Sequence, residues 1–194
     1  KMTKENIKIE ETYASALQNH KKNNFELAEK LYKEILKINP KHFESIFFLG
    51  TLLVQTHKFD MAKELFQKAT QMKPDNANAH YNLGNVLKEL GEYEKAASNY
   101  QNAIKNNPNF IEAHNNLGVL FRELGKLQEA KNCYKKVIEI QPNNAKAHSN
   151  LGNVLKELGE REKSMQYFKK ALEIKPNFVE AQANISNFYI SESY

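Results

Sequence analysis

The 194-residue sequence predicts an all-α fold, a solenoid of antiparallel helix pairs that repeats every 34 residues. Three observations predict it. All five prolines, Pro40, Pro74, Pro108, Pro142 and Pro176, are spaced 34 residues apart. The seven glycines keep the same period and occupy two places in it, Gly50, Gly84, Gly118 and Gly152 at one, Gly91, Gly125 and Gly159 at the other. The stretch NLGNVLKELGE occurs at 82–92 and again at 150–160, two periods apart, with the related NLGVLFRELGK at 116–126 midway. A fixed period in this range marks stacked supersecondary units.

Residues 1–8 form a short leading segment. Repeat 1 (9–42) is divergent: Ala16 stands at the first glycine place and Asn23 at the second, while Ala28, Tyr32 and Pro40 keep the register. Repeat 2 (43–76) regains Gly50 but has His57 at the second place, with Ala62, Phe66 and Pro74 in register. Terminal repeats depart from the pattern because one of their faces meets solvent.

Repeat 3 (77–110) shows the local logic most plainly. Leu83, Val86, Leu87 and Leu90 recur at the spacing of an amphipathic helix stripe. Gly84 lies inside that helix, where glycine costs about 1 kcal/mol against alanine, so close helix packing is its expected use. Gly91 follows Leu90 as the helix stops, where a left-handed residue is needed. A second helix carries Ala96, Tyr100, Ala103 and Ile104. It ends near Asn106 and Asn107, because Pro108 disfavours helix in the residue before it.

Repeat 4 (111–144) holds Gly118, Gly125, Ala130, Tyr134 and Pro142, with Val137 at a place alanine holds elsewhere. Repeat 5 (145–178) holds Gly152, Gly159, Phe168, Ala171 and Pro176, with Ser164 at another such place. Residues 179–194 read as a first helix without a second, with Ile185, Phe188 and Tyr189 on its packing side. It is expected to be a capping helix or a truncated sixth repeat. Its unpaired apolar side makes homodimerisation through this helix an expectation too.

Composition narrows the function classes. A hydrophobic content of 41% suffices for a packed core. The single cysteine, Cys133, excludes an intramolecular disulfide. The 28 basic and 23 acidic residues are interspersed, and a net charge of +5 does not point to nucleic acid. No apolar run is long enough to span a bilayer, and KMTKENIKIE lacks the apolar core of a secretory signal. A cytoplasmic protein is expected, and the Asn184-Ile185-Ser186 sequon carries no weight against that.

These residues resemble the tetratricopeptide repeat family over roughly 9–194. The family pattern of small residues, an aromatic and a terminal proline is met by Gly84, Ala96, Tyr100, Ala103 and Pro108. It is met again by Gly118, Ala130, Tyr134 and Pro142, and by Gly152, Phe168, Ala171 and Pro176. The resemblance implies a right-handed superhelix whose first helices line a concave inner surface.

No phosphate-binding Gly-rich loop, HExxH, GxSxG or paired cysteines appear, so no catalytic site, cofactor or metal is expected. His80, His114 and His148 recur with the period. They read as structural histidines rather than a metal ladder, since no second ligand lies one turn away in the same helix.

The candidate binding residues lie on the first helices, away from the apolar stripe. At about 100° per residue, Asn78, Asn82, Asn85 and Glu89 share a narrow sector. Glu112, Asn116, Val119 and Glu123 share it in repeat 4, and Lys146, Asn150, Asn153 and Glu157 in repeat 5. Asn82, Asn116, Asn150 and Asn184 are its recurring members. This row resembles the asparagine ladder in the repeats of O-linked N-acetylglucosamine transferase, which implies that it holds the backbone of an extended peptide. An amide suits that task, because it offers a donor and an acceptor to a peptide group without reading its side chain.

At about 0.5–1.5 kcal/mol per hydrogen bond the row supplies a few kcal/mol, whereas micromolar affinity needs about 8. Tyr81, Asn85, Asn153 and a basic row of Lys88, Arg122 and Lys156 are the candidates for the remainder. Glu89, Glu123 and Glu157, one residue further along each helix, are expected to neutralise that row by local pairing. The carboxylate clamp of chaperone-binding family members is not matched, since Tyr81, Asn82 and Asn115 stand where its charges belong and only Lys146 offers one.

The expectation is therefore a noncatalytic protein-interaction scaffold that binds a peptide segment in the concave groove, with no nucleic-acid or membrane partner. The alternative is the substrate-recruiting arm of a larger enzyme such as a glycosyltransferase or sulfotransferase.

Overall fold

A computed structural model describes the backbone of residues 3–192, with side chains described up to Asn187 and at Tyr189. The side chain of Phe188, expected on the packing side of the last helix, lies outside the described residues. The described residues form eleven α-helices and no strand. In order they are α1 (Lys4–Lys21), α2 (Phe25–Ile38), α3 (Phe43–Gln55), α4 (Phe59–Met72), α5 (Ala77–Glu89), α6 (Tyr93–Asn106), α7 (Ile111–Glu123), α8 (Leu127–Ile140), α9 (Ala145–Glu157), α10 (Arg161–Ile174) and α11 (Val179–Glu192).

The chain divides into two compact units, one ending at Asn106 and one beginning at Asn107. In the first, α1–α2, α3–α4 and α5–α6 are packed pairs, and α2–α3 and α4–α5 link them. In the second, α7–α8 and α9–α10 are packed pairs, α8–α9 links them, and α11 packs on α10. Helix α1 begins at Lys4, inside the stretch read as a leading segment, because the Thr3 hydroxyl accepts the Asn6 amide at 3.2 Å and caps it.

The helix pairs of repeats 2 to 5 each close by seating an aromatic ring against a glycine. A Cβ built on Gly84 would lie 2.8 Å from the Tyr100 ring, and on Gly152 2.7 Å from Phe168. Gly50 and Gly118 meet Phe66 and Tyr134 at 2.9 Å in the same way. These rings are fully or almost fully buried. The helix-propensity cost of glycine is thus exchanged for burial of a large ring in repeats 2 to 5.

The second glycine place is conformational, as its position after the first helix suggests. Gly91, Gly125 and Gly159 have φ near +75, +72 and +79. Asn23 and His57, which replace glycine there, take the same left-handed conformation with φ of 60 and 57. The backbone turn is therefore retained where its preferred residue is not.

Apolar side chains fill the spaces between pairs. In the first unit Ile46, Ala69 and Ala79 form a buried cluster joined by Phe47 and Leu65. In the second, Phe168, Ala171 and Ala181 do so with Leu172 and Ile185. Ile185 thus meets its expected role, whereas Tyr189, expected on the same side, is 52% exposed.

Candidate functional site

At three places the repeat geometry leaves a recess where the C-terminal half of one first helix faces the next first helix. In the first unit it measures about 340 Å³ and is lined by Leu17, His20, Lys21, Phe48, Thr51 and Gln55. In the second unit one of about 330 Å³ is lined by Val119, Arg122, Glu123, Tyr134, Asn150 and Glu157. Another of about 330 Å³ in that unit includes Lys156, Arg161, Phe168, Asn184 and Asn187. These are one structural position seen three times, since Phe48, Asn150 and Asn184 differ by whole periods of the sequence, as do His20, Arg122 and Lys156. A larger hollow on the outer side of α2, about 520 Å³, is walled by Glu26, Glu29, Lys30 and Lys33 of that one helix and converges on nothing.

Among the row asparagines, Asn150 and Asn184 line recesses. Asn82 on α5 and Asn116 on α7 are half-buried at the same helical position. The row does not extend backward into repeat 2, where Phe48 holds the place and makes that recess largely apolar. The Asn184 amide donates to the Glu180 carbonyl at 3.0 Å, one turn back in its own helix.

The side-chain candidates separate into two groups. Arg122 and Lys156 line recesses and are exposed, and Lys88 is half-buried at the equivalent place. Asn85 and Asn153 are turned elsewhere. Asn85 Oδ1 accepts the Tyr100 hydroxyl at 2.8 Å, and Asn153, only 9% exposed, donates to Glu180 Oε1 at 3.2 Å. Both amides are engaged by neighbouring helices, whereas Val119 and Asn187, whole periods from them, line recesses. Tyr81 lies beside Tyr100, ring centroids 6.0 Å apart.

The expected local neutralisation of the basic row takes a different form. Arg122 Nη2 and Nε reach Glu157 Oε1 at 2.5 and 2.7 Å, so the pair joins α7 to α9 across repeats. Adjacent residues on a helix diverge by about 100°, which is why Glu123 is not Arg122's partner while the residue 35 positions on is.

Sequence reasoning missed Phe48, Arg161 and Asn187 as recess residues. The period itself is the signal that finds them. Phe48 lies one period before Asn82, and Asn187 one period after Asn153.

The histidines have a structural role. Nε2 of His80, His114 and His148 lies 2.9, 2.9 and 2.8 Å from the carbonyls of Pro74, Pro108 and Pro142. A carbonyl only accepts, so each Nε2 donates and the bond ties the proline turn to the following first helix. Gln182 Nε2 makes the same bond to Pro176 at 2.8 Å. An amide can replace the ring because the task is a single hydrogen bond. Among the described residues no cluster of histidine, cysteine, aspartate or glutamate could hold a metal ion. Burial pushes the Cys133 thiol up to about 12, aided by Glu129, and likewise raises the Tyr134 hydroxyl at the floor of its recess. Neither ionises near neutral pH.

No helix among the described residues is long and apolar enough to cross a membrane. Comparison with known proteins gives consistent results. Models of the "TPR repeat" match residues 50–91, 84–125 and 120–159, and models of the "Tetratricopeptide repeat" match 145–178 and 13–42. A search of curated proteins found no match.

Among solved structures, the chain resembles that of MamA protein with a TM-score of 0.82 and 27% identity, over 89% of this chain and 94% of that one. It resembles YrrB, described as a TPR protein with an unusual peptide-binding site, with a TM-score of 0.82 and 26% identity, over 95% of this chain and 98% of that one. MamA residues 41 to the end from Desulfovibrio magneticus RS-1 share the fold at 18% identity, with a TM-score of 0.82 over 92% of this chain and 99% of that one. The period, the glycine-seated rings and the matched family models together make this chain a member of the tetratricopeptide repeat family.

Proposed function

We propose that this protein is a noncatalytic interaction scaffold and that its row of first helices receives an extended peptide segment. The observation that carries this reading is the recess repeated in one register, with a row amide at its edge in the two copies formed by α7–α9 and α9–α11. A repeated recess suits a repeated ligand, and a polypeptide in extended form presents an amide group about every 3.3 Å. Asn82, Asn116, Asn150 and Asn184 hydrogen-bond the peptide backbone, and Arg122, Lys156 and Lys88 contact its side chains. Tyr81 contributes ring surface. Asn85 and Asn153 contribute less directly, by holding Tyr100 and Glu180 in place. The likeness to YrrB supports the same reading.

The test is capture of binding proteins from cell extract by the purified chain and by the Asn82→Ala, Asn116→Ala, Asn150→Ala variant. The row amides are half-buried and outside the apolar clusters, so helicity should be retained. Loss of three backbone hydrogen bonds at about 1 kcal/mol each should weaken binding by about two orders of magnitude. Undiminished capture by the variant would refute the groove.

A further inference from the structure

The two recesses of the second unit have the same volume, about 330 Å³, and opposite charge among their described lining residues. The one between α7, α8 and α9 holds the two carboxylates Glu123 and Glu157 against the single guanidinium of Arg122, which is already paired with Glu157. The one between α9, α10 and α11 holds Lys156 and Arg161 beside the amides of Asn184 and Asn187, with no acidic side chain among the described residues of its lining.

The difference has a sequence cause. Arg122 meets the residue 35 positions on in the sequence, Glu157. The residue 35 positions after Lys156 in the sequence is Ser191, which carries no carboxylate. Lys156 accordingly forms no ion pair or hydrogen bond among the described residues. Two carboxylates of α9–α11 outside the lining are already engaged, Glu160 by Lys131 and Lys163, and Glu180 by the Asn153 amide. An ammonium group beside donor amides at the rim of a recess is complementary to a carboxylate.

We propose that the recess between α9, α10 and α11 selects an aspartate or glutamate side chain of the bound peptide, and that the neighbouring recess takes a neutral or basic residue about three positions away. This rests on the groove reading above. The spacing follows from adjacent helices about 8–10 Å apart and an extended chain rising about 3.3 Å per residue. The carboxylate belongs to an internal side chain rather than a chain terminus, because a peptide that also fills the neighbouring recess continues through the site.

The test is selection of peptides from a random library displayed with both ends flanked, so that no free terminus is presented, on the wild-type chain and on Lys156→Glu and Lys156→Gln variants. Lys156 is exposed, so neither change should disturb folding, and circular dichroism checks this. The expected result is enrichment of Asp or Glu three positions from Lys, Arg or an uncharged residue. Affinity of such a peptide should fall about five- to tenfold in Lys156→Gln and further in Lys156→Glu, which should instead select basic residues. Enriched peptides without an acidic position, or acidic ones bound equally by Lys156→Glu, would overturn this inference and leave the groove intact. Acid selection only from a library with free C-termini would overturn the side-chain assignment. No enrichment in any format would overturn the groove reading and this inference with it.

Discussion

At the scale of single residues, glycine is favoured at two places for different physical reasons, and both places keep the same 34-residue period. Gly152 sits mid-helix, where alanine would gain about 1 kcal/mol of helix propensity. Its Cβ, however, would lie 2.7 Å from Phe168, a ring that is 2% exposed and has nowhere to go. Overpacking of this kind costs about 1–3 kcal/mol, so Gly152→Ala should be destabilising by about 1 kcal/mol or more in urea unfolding. A gain in stability would mean that the ring yields freely. His57 is the converse case, a side chain held at a φ of 57 where its neighbours in register have glycine. The left-handed conformation costs a non-glycine residue about 1–2 kcal/mol, and glycine's extra unfolded-state freedom returns about 0.5–1 of that. His57→Gly should therefore raise the thermal midpoint, less the small contribution of its edge contact with Phe59 at 5.7 Å. An unchanged or lower midpoint would show that the ring contact outweighs the backbone strain.

At the scale of elements, second helices are tied to their neighbours by lysine–glutamate bridges that recur 29 residues apart. Lys63 of α4 reaches Glu92, just before α6, and Lys131 of α8 reaches Glu160, the N-cap of α10. The third, Lys58 to Glu29 of α2, has the charges reversed. Lys131 and then Lys163, both charged donors, hold the Glu160 carboxyl down to about 2, and Glu29 and Glu92 are lowered by their own lysine pairs. A carboxyl lowered on folding contributes stability that is fully present above its unfolded value of about 4.5 and is lost as pH falls toward about 2. Acid titration should thus erode stability across that window, and Glu160→Gln should flatten its slope while lowering stability at neutral pH. Equal slopes for the two proteins would show that the bridge is screened by solvent.

At the scale of the whole molecule, contacts within each unit run mainly between consecutive helices, so the stability of each unit is close to a sum of local and nearest-neighbour contributions. Within the second unit α9 packs on both α8 and α10, whereas α11 packs on α10. Native-state hydrogen exchange should therefore find the α11 amides opening with a smaller free energy than those of α9. Equal protection across α9, α10 and α11 would indicate that this unit opens only as a whole.

The sequence by itself determined the period, the helix pair, the two glycine places and the family, because all of these depend on interactions within one repeat or between residues in fixed register. It also located the row asparagines, since a helix places every member of a register at one angle. Only the tertiary structure decided which polar residues face a recess. Asn150 remains at its edge while Asn153, one turn on, is buried against Glu180. It likewise decided that Arg122 is joined to Glu157 of the next repeat while Lys156 has no partner among the described residues. A helical register specifies direction from one axis, whereas burial and pairing depend on the distance to the next helix, which no single repeat contains.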